Sequence, residues 1–133
     1  MRIVLDTNVL IAAFIARGVC HELFEYCAQR HTLVTSDFVL DEFRRKLVGK
    51  FKCTPEVTDE AATLLRSRME VVKPAGLDTP VCRDKDDDNI LAIAVTGNCD
   101  LIITGDNDLL VLRQFGKVQI ISPGDFQTYE PTV

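Results

Sequence analysis

Tryptophan is absent, and seven Phe with two Tyr make the aromatic content only 7%. With so few rings and no RNP-like aromatic motif, base stacking is a poor basis for reading nucleic-acid sequence. The five cysteines (Cys20, Cys27, Cys53, Cys82 and Cys99) include no C-x-x-C and no histidine at zinc-finger spacing. Their odd number, without a signal sequence, reads as reduced thiols in a cytoplasmic protein. The opening MRIVLDTNVLIAAFIARG is not a signal h-region, because Asp6 and Asn8 interrupt it. Nor does any apolar run approach the ~18 residues of a membrane span. There are only two histidines, His21 and His31, and no Ser/His/Asp or Cys/His arrangement. Both are expected to be structural or surface residues. Twenty acidic against 15 basic residues leave a net charge of −5, which excludes a protein that coats nucleic acid by bulk charge.

What remains is a chain of 133 residues, 47% apolar and 26% charged, the profile of one globular domain with a sizeable core. Short β-branched runs alternate with helical patterns. Strands are expected at Ile3-Val4-Leu5, Leu33-Val34-Thr35, Val71-Val72, Leu101 to Thr104, and Val118 to Ile121. Between them lie helical stretches over about 7–17, 19–30, 37–49, 55–69 and 88–97, with a short helix near 107–112. In the helix at 55–69, Val57, Ala61, Leu64 and Leu65 are expected to face inward. The tail from Pro123 reads as a partly ordered end. The alternation predicts a three-layer α/β/α sandwich with a central, mostly parallel sheet of four to five strands.

Aspartate is the residue in surplus: 13 Asp against 7 Glu. Ligands of open parallel sheets gather outside the carboxyl ends of the strands, and acidic residues fall there repeatedly. Asp6 ends the first strand; Asp84, Asp86, Asp87 and Asp88 precede the helix before the fourth; Asp106 and Asp108 follow Thr104. Glu42 offers another carboxylate from the helix after the second strand. Without a cationic partner such groups repel one another, and a hard divalent cation such as Mg²⁺ or Mn²⁺ relieves that repulsion. A structural role exists for each as well. Asp6, Asp106 or one of Asp86–Asp88 can cap a helix, and Glu42 can pair with Lys46 four residues on. Capping needs only one of the run, so the set as a whole points to metal binding. The helix register favours Asp88 on the exposed first turn, with Leu91 and Val95 buried; Asp87 stays open as an alternative, as does Asp108 for Asp106.

The segments DTNVLI at 6–11, RDKDDDNILAIA at 83–94 and TGDNDLL at 104–110 resemble the signatures of PIN-domain proteins, in order and over nearly the whole chain. The resemblance implies a Mg²⁺- or Mn²⁺-dependent nuclease that cuts RNA, usually single-stranded. Its metal ligands would be Asp6, Glu42, Asp88 and Asp106, with Asn8 and Thr104 helping to hold the carboxylates. Many family members are toxin ribonucleases of toxin–antitoxin pairs. That implies a small antitoxin partner presenting Arg or Lys to the site, and a homodimer; Leu10, Phe14, Leu23 and Phe24 are candidate surfaces for it, and core packing explains them equally well.

The segment RRKLVGKFK carries Arg44, Arg45, Lys46, Lys50 and Lys52 directly after Glu42. It either leads a phosphate backbone to the metal or is a solvated helix face. Two other functions compete. A phosphoacceptor receiver domain shares the architecture but needs a lysine after its last strand, where this chain has Ser122-Pro123-Gly124. A PIN-like module that binds RNA or protein without cutting would show no metal-dependent cleavage.

Overall fold

The computed structural model describes residues 1–129. Ile3, Val4 and Leu5 are wholly buried, as a strand covered on both faces must be. They form β1 (Arg2–Leu5), which lies between β2 (Thr32–Thr35) and β4 (Leu101–Ile103), parallel to both. The sheet is completed by β3 (Glu70–Val71), β5 (Gln114–Phe115) and β6 (Val118–Ile121), in the order β3-β2-β1-β4-β6-β5. All pairings are parallel except β5 with β6. The antiparallel β5 lies outside the four to five strands expected. Two residues without an apolar run give no strand pattern, and a tight turn through Gly116, at φ +59°, folds β5 back on β6.

The helices are α1 (Thr7–Ile15), α2 (Val19–Arg30), α3 (Asp37–Gly49), α4 (Pro55–Ser67), α5 (Lys85–Thr96), α6 (Asn107–Leu110) and α7 (Phe126–Tyr129). The crossovers from β1 to β2 and from β2 to β3 step one way along the sheet, and β3 to β4 steps the other. Right-handed connections therefore put α1–α4 on one face and α5 on the opposite face. The order reverses between β1 and β4, which makes the crevice at their carboxyl ends the natural ligand position.

Several expectations about packing change. On α4 the buried stripe is Thr58, Ala61, Ala62 and Leu65, while Val57 and Leu64 are exposed. The helix is rotated by about one residue from the expected register, so threonine and alanine take inward places beside α3. Leu10, Leu23 and Phe24 belong to the core, whereas Phe14, Ile15 and Val19 are exposed. The tail from Pro123 is ordered as a 3-10 turn (Pro123–Asp125) followed by α7, with Phe126 buried; the rest of that tail, 130–133, lies outside the described residues. Among the described residues no disulfide forms. Among the described residues no single helix is long and apolar enough to cross a membrane.

Candidate metal centre

Parallel pairing sets Leu5 opposite Ile103, so the residues that follow, Asp6 and Thr104, meet at the reversal point. Asp6 occupies the N-cap position of α1, yet its side chain makes no capping bond. Instead the Thr104 hydroxyl donates to Asp6 Oδ2 at 2.7 Å, and Thr104 Oγ1 itself accepts from the Asp106 backbone N–H at 3.0 Å. Thr104 is wholly buried and Asp6 nearly so. Asp106 then caps α6, its Oδ1 accepting from the Asp108 N–H at 2.8 Å. A hydrogen-bonded row thus runs from Asp6 through Thr104 and Asp106 to Asp108.

The chain enters α5 from the carboxyl edge of the sheet, which brings the first turn of this helix over that row. Asp84 is the N-cap, accepting from Asp86 N–H at 2.9 Å. The helix therefore starts three residues before the expected position, and its register differs. Asp87, Ile90, Leu91 and Ala94 form the buried stripe, the i, i+3, i+4, i+7 spacing of one helix face. Val95 is 55% exposed, contrary to expectation. Asp87 is thereby turned into the site. Asp88, the residue favoured from sequence, turns to the preceding loop, accepting from Cys82 N–H at 2.8 Å and from Val81 N–H.

Ligand oxygens of Asp87, Asp106 and Asp108 all lie within 4.8 Å of one another. Asp87 Oδ2 is buried and has no hydrogen-bond partner. Burial, then the charge of Asp106 and a hydrogen bond with it, then Asp6 and Asp84, push the Asp87 carboxyl up to about 7. Burial also raises Asp6, with Asp106 adding to the rise, against the Thr104 hydrogen bond and the charge of Lys46. Glu42 is buried on α3 beside Asp86, whose carboxyl is raised by burial first and by Glu42 next. An oxygen-only donor set, mutually repelling and holding a buried unsatisfied oxygen, fits a hard divalent cation.

The remaining sequence candidates separate. Thr104 holds the carboxylates, but Asn8 instead accepts from Lys46 Nζ at 3.1 Å. Lys46 thus faces Asn8 and Asp6 rather than pairing with Glu42. Arg45 lies beside Asp86. Arg44 turns away to Asp41 and Asp59, Lys52 bonds the Gly49 carbonyl, and Lys50 stacks over Phe51. His21 bonds the Ala13 carbonyl and His31 sits against the N-terminal amine, both away from the row. The Cys82 thiol, near Asp88, is pushed up to about 11 by burial and by the surrounding carboxylates, so it is no nucleophile.

The raised Asp87 has a consequence for stability. Its folded pKa of about 7 exceeds the ordinary value of 3.8, so the folded protein holds this proton more tightly than the unfolded chain. Stability from this group is complete below the unfolded value and is lost as pH rises through about 7. In EDTA, urea midpoints are expected to fall from acid to neutral pH, and Asp87→Asn should flatten that fall and stabilise the protein near neutrality. A parallel pH profile for wild type and variant would contradict it.

The fold and site define a class: parallel α/β proteins that gather carboxylates where the strand order reverses. A family model described as PIN domain matches residues 2–108, and the chain belongs to the PIN-domain family. It is 28% identical over 123 residues to the uncharacterised protein MJ1680 of Methanocaldococcus jannaschii, covering 88% of this chain and 78% of that one. The fold is shared with a chain of VapBC2 from Rickettsia felis, solved bound to a promoter DNA fragment (TM-score 0.67, 16% identity, 92% of this chain and 98% of that one). It is shared also with VapBC-1 from nontypeable Haemophilus influenzae (TM-score 0.66, 20% identity, 93% and 99%). A third similar structure is Mycobacterium tuberculosis VapC20, described as a sarcin-ricin loop cleaving toxin (TM-score 0.61, 17% identity, 88% and 98%).

Proposed function

We propose that this protein is a metal-dependent endoribonuclease that hydrolyses single-stranded RNA, and that it is the toxin of a toxin–antitoxin pair. The observation that carries the chemistry is the buried, unpartnered Asp87 oxygen among carboxylates at the switch point. Asp6, Asp87 and Asp106 would hold Mg²⁺ or Mn²⁺, with Asp108 and the Glu42–Asp86 pair at the margins. Asp88 is assigned to the loop amides instead. A divalent cation held by these residues would supply Lewis acidity for the attack of water on the phosphodiester and would offset charge on the reacting phosphate. Thr104 fixes the Asp6 oxygen and the Asp106 backbone in one arrangement before substrate arrives, which is how an electrostatic site avoids reorganisation during reaction. Lys46 and Arg45 moderate the repulsion between the acidic rim and an RNA backbone.

VapBC assemblies among the similar structures support a small antitoxin as partner and a dimer of this chain. The exposed Phe14, Ile15 and Val19 on α1 and α2 are the apolar side chains available to such contacts. A cytoplasmic location fits this role. RNA cleavage is expected only with Mg²⁺ or Mn²⁺ and should stop in EDTA; undiminished cleavage in EDTA by nuclease-free protein would overturn the metal mechanism.

A further inference from the structure

Cations stand at both ends of the carboxylate row. Lys46 reaches the Asp6 end from α3. At the other end stands Arg83, from the loop before α5 and outside the basic segment. Its Nη2 donates to both oxygens of Asp108, at 2.8 and 3.0 Å, and its charge also reaches Asp106.

The two partners are unequally held. The Arg83 side chain is 87% exposed and that of Asp108 36%. Exposed ion pairs contribute little to stability because solvent screens them, so this one exchanges at little cost. The contact also uses one nitrogen of the guanidinium; among the described residues no acceptor meets Nη1 or Nε. A planar fork with those donors unused matches a phosphate, which arginine binds through two parallel hydrogen bonds. Arg68 shows the contrast: it grips Glu25 at 2.9 Å, stacks over Phe24, and is only 29% exposed. Arg68 is built into the fold, whereas Arg83 is tethered to a rim.

We infer that Arg83 is a substrate-phosphate ligand, parked on Asp108 in the RNA-free protein and transferring to an RNA backbone phosphate at the end of the site opposite Lys46. The transfer rests on the nuclease reading above. It frees Asp108, whose oxygens lie within 4.8 Å of those of Asp87 and Asp106, when the substrate is in place. RNA would then be held from both ends of the row with its scissile bond over the carboxylates.

The test combines kinetics with two binding measurements. Arg83→Ala is expected to raise KM for a labelled single-stranded oligoribonucleotide about tenfold, the scale of one charge-assisted hydrogen bond, with kcat little changed. In an Asp87→Asn background, where cleavage is expected to fall about a hundredfold or more, it should weaken RNA binding measured by anisotropy and lower the salt slope by about 1. Arg83→Lys should fall between, keeping the charge without the fork. Calorimetric Mn²⁺ affinity should be unchanged or tighter, since a competing cation is gone. Arg66→Ala, which removes an equal charge from α4, serves as control. If Arg83→Ala matches that control in KM, RNA affinity and salt slope, Arg83 is only a counter-charge and the inference fails. RNA binding in the Asp87→Asn background decides this separately from the nuclease reading, which falls instead if Asp6→Asn cleaves like wild type.

Discussion

Asp87→Asn is expected to reduce RNA cleavage by about a hundredfold or more, the scale of losing a well-placed electrostatic group, while Asp88→Asn costs much less. The two residues are adjacent aspartates in the same helical turn, so composition does not separate the variants. Their directions do. Asp87 lies on the buried stripe with Ile90 and Leu91, facing Asp6 and Asp106; Asp88 accepts the amides of Val81 and Cys82. Asparagine at 87 removes the charge a divalent cation needs, while asparagine at 88 keeps one oxygen for the loop N–H groups. Metal-free folding should survive both changes, and the 87 variant should gain stability near neutral pH. Single-turnover cleavage with Mn²⁺, paired with urea denaturation in EDTA, gives both readouts. The reverse order of activities would return the third ligand to Asp88. Normal cleavage by both variants would reduce this run of aspartates to capping chemistry.

The second large effect is expected at Thr104. Its hydroxyl donates to Asp6 and accepts from Asp106 N–H inside the protein, so Thr104→Val strands a carboxylate oxygen and an amide together. An unsatisfied buried group costs about 1–3 kcal/mol, and valine has nearly the same shape, so loss of packing does not obscure the result. We expect destabilisation of about 2 kcal/mol and at least a tenfold fall in cleavage as Asp6 and the Asp106 turn lose their common anchor. Thr104→Ser keeps the hydroxyl and should recover most of both. A valine variant with wild-type stability and rate would show that the row does not depend on this bridge.

Much of the architecture was legible before the structure because it rests on local pattern. The short apolar runs at Ile3–Leu5 and Leu101–Ile103 suit buried parallel strands, and Asp6 and Thr104 follow them directly. Once those strands pair, the carboxylate and the hydroxyl must meet at the reversal of strand order. The identity of the acidic segments, the likeness to PIN domains and the absence of a nucleophilic triad all lay in the order of residues. The start of α5 did not. In Asp84-Lys85-Asp86-Asp87-Asp88 each step turns the side chain by about 100° around a helix, and several residues can serve as the cap. Only the capping bond from Asp86 N–H to Asp84 decided that the helix begins at Lys85. The stripe of Asp87, Ile90, Leu91 and Ala94 was available as a signal in the sequence, but it competed with the equally apolar Ala92 and Val95. Lys46 on Asn8 and Arg83 on Asp108 join residues 38 and 25 positions apart. Long, flexible side chains carry no periodicity that announces such partners, so the placement of charge around the site came from the tertiary structure alone.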